Sequence, residues 1–237
     1  MTAALEVRDI TVSFGGRHAL QDVALTADAA CVTGLIGPNG AGKTTLFNVI
    51  CGLQPPARGT VSIRGTEVTR LAPFKRARKG LARTFQRLET FGLLTVRENV
   101  RLAAGIAKRD DADAVTDALL ERLGVAELGA LRADRLPTGQ ARLVELARAL
   151  ATDPAVLLLD EPASGQDEQE TAAFSGVLRQ VAADGVAVVL VEHDVQLVMD
   201  VCTTVHVLDL GRVIASGSPA EVQRNEAVLA AYLGAAR

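Results

Sequence analysis

The sequence predicts an α/β domain built on a parallel sheet, with β-rich sequence in front and a helical insertion in the middle. Three observations carry that prediction. Short, near-continuous apolar runs over residues 156–159 and 186–191 alternate with helix-competent stretches, as buried parallel strands and their crossovers do. A glycine-rich turn over residues 37–42 joins an apolar run to a helical one. Across residues 88–151 the apolar side chains switch to three- and four-residue spacing, the period of helices.

Taken in chain order, residues 5–12 and 20–26 read as strands, with Gly15-Gly16 as the turn between them. Residues 31–36 form a compact apolar run expected of a buried strand. A helix is expected over residues 43–51, ended by Gly52 and Pro55-Pro56. Residues 61–63 and 81–85 again read as strands. Helices follow over 95–107, 110–123 and 140–151, with Asp110 or Asp111 as N-cap of the second and Gly124 as its stop. Thereafter strands at 156–159, 186–191 and 205–208 alternate with helices at 168–183 and 195–201. There are no repeats and no low-complexity linkers, so one α/β domain is expected.

Composition narrows the class. The chain has 237 residues, 49% hydrophobic and 22% charged, enough to bury a sizeable core. No apolar run approaches the roughly 18 residues of a membrane span. A net charge of −3 argues against a broad nucleic-acid footprint. The start, MTAALEVRD, lacks the features of a secretory signal. Cys31, Cys51 and Cys202 make neither a metal spacing nor an even disulfide set, which fits a reducing compartment.

Chemistry enters at Gly37-Pro38-Asn39-Gly40-Ala41-Gly42-Lys43-Thr44, which fits the phosphate-loop pattern G-x-x-x-x-G-K-[ST] between a strand and a helix. The glycines let backbone N–H groups wrap a phosphate, and the helix from Lys43 adds its positive dipole end. Lys43 can reach the β- and γ-phosphates, and the Thr44 hydroxyl can ligate Mg²⁺. Only three other lysines occur in the chain (Lys75, Lys79, Lys108), so a chance match is a poor explanation. Downstream, the apolar run 156–159 ends in Asp160-Glu161: Asp160 is placed to hold Mg²⁺, and Glu161 to polarise an attacking water. His193 follows the run 186–191, whereas His18 and His206 have no such context.

The phosphate loop through Thr45, Gln86, Leu136-Pro137-Thr138-Gly139-Gln140, Asp160-Glu161 and His193 occur in one order. That order and spacing resemble the nucleotide-binding subunit of an ATP-binding-cassette (ABC) transporter over essentially the whole chain. The resemblance implies a P-loop NTPase (RecA-like) parallel-sheet core with an antiparallel β subdomain and an inserted helical subdomain. It divides the chain into residues 1–86 (β subdomain and first part of the core), 87–151 (helical subdomain), 152–216 (second part of the core) and 217–237 (helical tail). It implies binding of ATP and Mg²⁺ by Phe14 on adenine, by Asn39, Gly40, Ala41, Gly42, Lys43, Thr44 and Thr45 on phosphate, and by Thr44, Gln86 and Asp160 on the metal. Glu161, His193 and Gln86 become the catalytic set. Pro137, Thr138, Gly139, Gln140 and Asp167 would act on the nucleotide of a second subunit. Integral-membrane permease subunits, a second ATPase subunit and an extracytoplasmic solute-binding protein are the implied partners, and nucleic acid is not one. The implied location is cytoplasmic, on the inner face of the cell membrane.

Within the family, Phe14-Gly15-Gly16, Ala82-Arg83-Thr84-Phe85-Gln86, Glu192-His193-Asp194 and the tail from Gly217-Ser218-Pro219 to Tyr232-Leu233-Gly234 look most like importers of branched-chain and other hydrophobic amino acids. A soluble ABC ATPase clamping ribosome or DNA is the alternative, although those usually carry two cassettes or a long coiled-coil insertion.

The family signature reads LSGGQ or a near variant, and here Pro137 stands at the serine and lacks both hydroxyl and N–H. Ser164-Gly165-Gln166-Asp167 also departs, with Gln166 where an apolar residue is usual. Elements serving this chain's own nucleotide are intact and those reaching across are altered. This points to an asymmetric heterodimer, with a homodimer and a merely tolerated proline as the alternatives. Lys75, Arg76, Arg78, Lys79, Arg83 and Arg87 form a basic cluster, expected to be a solvated face or a contact for lipid headgroups. Leu93 and Thr95 lie in the region that by resemblance receives a cytoplasmic helix of the membrane subunit, while its apolar residues fit a core equally well.

Overall fold

The computed structural model describes residues 3–234. In chain order it runs β1 (Ala3–Phe14), β2 (Arg17–Asp28), β3 (Val32–Ile36), α1 (Lys43–Cys51), β4 (Arg58–Ile63), β5 (Thr66–Glu67), α2 (Pro73–Ala77) and β6 (Leu81–Arg83). Then come α3 (Val96–Ile106), α4 (Ala112–Arg122), α5 (Thr138–Leu150), β7 (Val156–Asp160), α6 (Glu168–Ala183), β8 (Ala187–Val191) and α7 (Val195–Val201). The chain closes with β9 (Thr204–Asp209), β10 (Arg212–Gly217), α8 (Pro219–Gln223) and α9 (Glu226–Gly234). Among the described residues no helix is long and apolar enough to cross a membrane.

Two sheets result. An antiparallel sheet has the order β2-β1-β4-β5. The second, β10-β9-β3-β8-β7-β6, is parallel except for its edge strand β10. Its central strands are buried on both faces, which is why they are apolar without alternation. Successive side chains still separate by face. Leu158, Val189 and Leu208 join Leu46, Phe47, Val49 and Ile50 of α1 and the inner face of the antiparallel sheet in one core. Leu157, Leu190 and Val205 join Val144 of α5, Leu178 of α6 and Val198 of α7 in the other. Phe47 alone, fully buried, contributes about 2 kcal/mol by burial.

The inserted helices are held by local chemistry. Thr95 caps α3: its hydroxyl accepts the Glu98 N–H at 3.2 Å while the Glu98 carboxylate accepts the Thr95 N–H at 2.8 Å. Asn99, fully buried, accepts from the Phe91 N–H at 2.9 Å and donates to the Thr95 carbonyl at 2.9 Å, which fastens the loop before α3. Thr95 is thus a cap outside the helix, and Leu93 stands 79% exposed and is no core residue.

Several expectations are corrected. The basic cluster is not one solvated face, because Arg76 is buried and donates to the carbonyls of Val49, Ile50, Leu71 and Thr69. The Arg83 side chain is largely covered as well, 8% exposed against Asp160. The expected strand at 81–85 stops at Arg83, so Gln86 lies in the loop beyond it. Residues 110–111 precede α4, and Asp111, its N-cap, makes no side-chain capping bond. The helix expected from residue 140 begins two residues earlier, at Thr138. Strands β5 and β10 and helix α2 were not anticipated, and residues 235–237 of the expected tail lie outside the described residues.

Candidate active site

The phosphate loop leaves β3 at Gly37 and enters α1 at Lys43. Two of its glycines are required by geometry. Gly37 has φ 153°, and a Cβ there would stand 2.0 Å from the Leu208 carbonyl oxygen. Gly42 has φ 111°, and a Cβ there would stand 2.8 Å from the Ala19 oxygen. The Gly211 N–H donates to the Ala41 carbonyl and the Gln21 N–H to the Gly211 carbonyl, so β2 and the β9–β10 turn brace the loop from outside. No side chain caps α1, which leaves its first-turn N–H groups available to an anion. Asn39, Gly40 and Thr44 are exposed, Thr45 is half-buried, and Ala41 is buried. Lys43 arches back over the loop and donates from Nζ to the carbonyls of Gly37 at 2.6 Å and Pro38 at 3.1 Å. Burial pushes its pKa down, against the upward pull of the Glu161 and Asp160 charges.

Three loops converge on Glu161. This residue follows β7 with φ 51°, uncommon for a side chain of this size, and its N–H donates to the Val191 carbonyl at 2.9 Å. Gln86 Nε2 donates to Glu161 Oε2 at 2.8 Å, and His193 Nε2 lies 2.7 Å from Glu161 Oε1. Gln86 and His193, the partners that the resemblance implies for Glu161, therefore both contact it directly. Asp160, one residue earlier, is buried, and its Oδ2 accepts from Arg83 Nη2 at 2.8 Å. Arg83 also donates to Asn48 Oδ1 of α1 at 2.8 Å.

A second group gathers at the start of α5. Pro137 and Thr138 are exposed there, and no side chain caps the helix. Gly139 is buried because the Glu170 carboxylate lies on it, only 2.6 Å from where a Cβ would stand. Glu170 accepts the Asp167 N–H at 3.2 Å, and Asp167 accepts the Glu170 N–H at 2.8 Å, a reciprocal cap on α6. The signature-like turn and the loop ending at Asp167 thus lie against each other. Gln140 is half-buried behind them. Phe14 is 52% exposed at the end of β1, with an open face.

Sequence reasoning missed four side chains that organise these loops. Arg142 of α5 donates to the Phe85 carbonyl at 3.0 Å and the Gln86 carbonyl at 2.6 Å, and pairs with Glu145 at 3.0 Å. Glu145 in turn accepts the Glu89 N–H at 2.5 Å. Burial raises the Glu145 pKa, opposed by the Glu89 N–H and by Arg142. The loop carrying Gln86 is therefore bolted to the helix carrying the signature-like turn. Glu192 accepts the N–H groups of Ala163 at 2.8 Å and His193 at 3.0 Å. An ion pair at i,i+3 inside an apolar helix was the one available signal for Arg142 and Glu145. For Arg83 and Glu192, a charge beside a buried strand was the corresponding hint.

Residues 20–164 match the family model described as ABC transporter. Residues 212–237 match the model described as branched-chain amino acid ATP-binding cassette transporter. The chain is 37% identical to the high-affinity branched-chain amino acid transport ATP-binding protein BraF of Pseudomonas aeruginosa, covering 98% of each. It is 35% identical to the high-affinity branched-chain amino acid transport ATP-binding protein LivG of Salmonella typhimurium, again over 98% of each. Its fold is similar to the ADP conformation of an ATP-binding cassette of an ABC transporter, with a TM-score of 0.89 and 27% identity over 99% of this chain and all of the other.

Proposed function

The chain belongs to the ABC transporter ATP-binding family, and from that premise we propose that it is the ATP-hydrolysing subunit of an importer for branched-chain or other hydrophobic amino acids. Glu161, held by Gln86 and His193, is the observation that carries the catalytic part of this reading. The substrate class rests on the two relatives and on the match of the C-terminal segment.

ATP lies with its phosphates against the N–H groups of residues 39–45 and with its adenine on Phe14. Lys43 releases the Gly37 and Pro38 carbonyls and turns to the β- and γ-phosphates. Glu161 orients the attacking water and accepts its proton as the new O–P bond forms and the bond to the departing ADP breaks, while His193 contacts the γ-phosphate. The oxygens of Thr44, Gln86 and Asp160 are hard donors of the kind Mg²⁺ takes, and Asp160 keeps Oδ1 available while Arg83 holds Oδ2. The metal supplies charge neutralisation at the phosphates.

A second ATPase subunit completes the site, and membrane permeases dock near Gln86 and Leu93, placing the chain on the inner face of the membrane. An extracytoplasmic solute-binding protein completes the importer. Pro137 offers no N–H to the partner's γ-phosphate, so the subunits pair asymmetrically. The site on this chain's own phosphate loop is the fast one, and the site completed by Pro137 is slow.

Uptake of labelled leucine by cells of the source strain tests the whole reading. Replacing the native chain by Lys43→Ala should reduce leucine uptake to background and leave uptake of an unrelated sugar unchanged. Undiminished leucine uptake would remove the substrate class, and purified chain that binds no ATP would remove the activity.

A further inference from the structure

Glu192 is 5% exposed, directly follows β8, and pairs with no cation among the described residues. A carboxylate buried without a counter-charge is costly unless its oxygens are filled by donors. Here they are. Oε1 accepts the Ala163 N–H at 2.8 Å, and Oε2 accepts the His193 N–H at 3.0 Å. Ala163 lies two residues past Glu161, in the turn that leads through Ser164 and Gly165 to Asp167. The other flank of His193 is fixed too, because Asp194 caps α7 by accepting the Leu197 N–H at 3.1 Å.

Resting on the ATPase reading above, we infer that Glu192 is a positioning residue that ties the backbone of His193 to the turn after Glu161. The loop facing a second subunit and the histidine facing the γ-phosphate then move as one body. No other side chain among the described residues bonds to both of these loop backbones. A subunit docking against residues 164–167 would thereby set the distance between His193 and Glu161, without touching either. Burial raises the Glu192 pKa, opposed by these N–H bonds, and the neighbouring Glu161 charge adds to the rise.

Glu192→Gln keeps the shape and replaces one acceptor oxygen by an NH₂ that cannot accept. In the purified full chain, kcat for ATP should fall about ten- to a hundredfold, the loss expected of a buried charged hydrogen bond. The Kd for a fluorescent ATP analogue should stay within about twofold, since the phosphate loop is untouched. Hydrogen exchange should speed up at both Ala163 and His193. Unchanged kcat, equal losses in kcat and affinity, or faster exchange confined to one of the two amides would each overturn the inference. Wild-type protein that binds no ATP would instead overturn the ATPase reading, and the exchange measurement, which needs no nucleotide, would still decide the role of Glu192.

Discussion

His193 Nε2 stands 2.7 Å from Glu161 Oε1, although the two residues are 32 apart in the chain. Gln86, 75 residues from Glu161, occupies the other carboxylate oxygen. Neither oxygen is free to swing. The carboxylate is therefore oriented before any water arrives, and displacing it requires two hydrogen bonds to break.

Removing the charge of Glu161 should separate binding from turnover. Glu161→Gln keeps the contacts to Gln86 and His193 in reach but cannot polarise water. Phosphate release should fall about 10²–10⁴-fold, the range for losing a general base. ATP affinity should hold, and gel filtration with ATP should show an accumulated dimer. Rapid turnover by this variant would exclude the assigned role.

Arg142 and Glu145 offer a test of how the two halves of the site are joined. Both are buried, with side chains 7% and 4% exposed. Arg142→Ala strands Glu145 and should lower stability by about 3–5 kcal/mol, as broken buried pairs do. Arg142→Leu with Glu145→Leu should restore much of the melting temperature. Turnover should stay low, because the carbonyls of Phe85 and Gln86 have lost their anchor. Recovery of both properties together would show that the pair is only packing.

Pro137→Ser restores a hydroxyl and an N–H at an exposed helix start. Turnover by the purified chain alone should rise about 10²-fold or more, since even one donor to transition-state charge contributes about 10²–10³ in rate. Equal rates for the two proteins would mean that proline is tolerated there.

His206 governs part of the acid response. It is buried in β9, and burial pushes its imidazole pKa below the usual 6.5, against a smaller upward pull from the Thr26 backbone. Between the folded value and 6.5 the unfolded chain binds the proton more readily, so this contribution is complete above pH 6.5 and is lost as pH falls. The drop in melting temperature from about pH 7.5 to about pH 5.5 should therefore be smaller in His206→Leu than in the native chain. Parallel slopes would contradict this.

The sequence was most legible where a signal is local. Helices α1, α6 and α7 were expected over their observed bounds, because glycine or acidic residues punctuate apolar spacing there. Glu161, Gln86 and His193 could be listed as a set, yet the contacts of Gln86 and His193 with Glu161 depend on the order β8-β7-β6 at the sheet edge. Helix α2 has five residues and β10 is a half-exposed edge strand, so neither carries a buried periodicity. Arg83, Arg142 and Glu192 were illegible for a different reason. Arg142 and Glu192 act largely on backbone carbonyls and N–H groups of distant loops, which every residue type supplies alike, and Arg83 meets Asp160 only across a strand pair.

Arg76 has an electrostatic consequence at the far end of α1. Its guanidinium takes up the Val49 and Ile50 carbonyls where that helix ends, while phosphate would bind where it begins. The helix spans nine residues, about 14 Å at 1.5 Å per residue. A cation seated on the negative pole leaves the positive pole unopposed, so the potential felt by a bound anion is tuned from the opposite end of the rod.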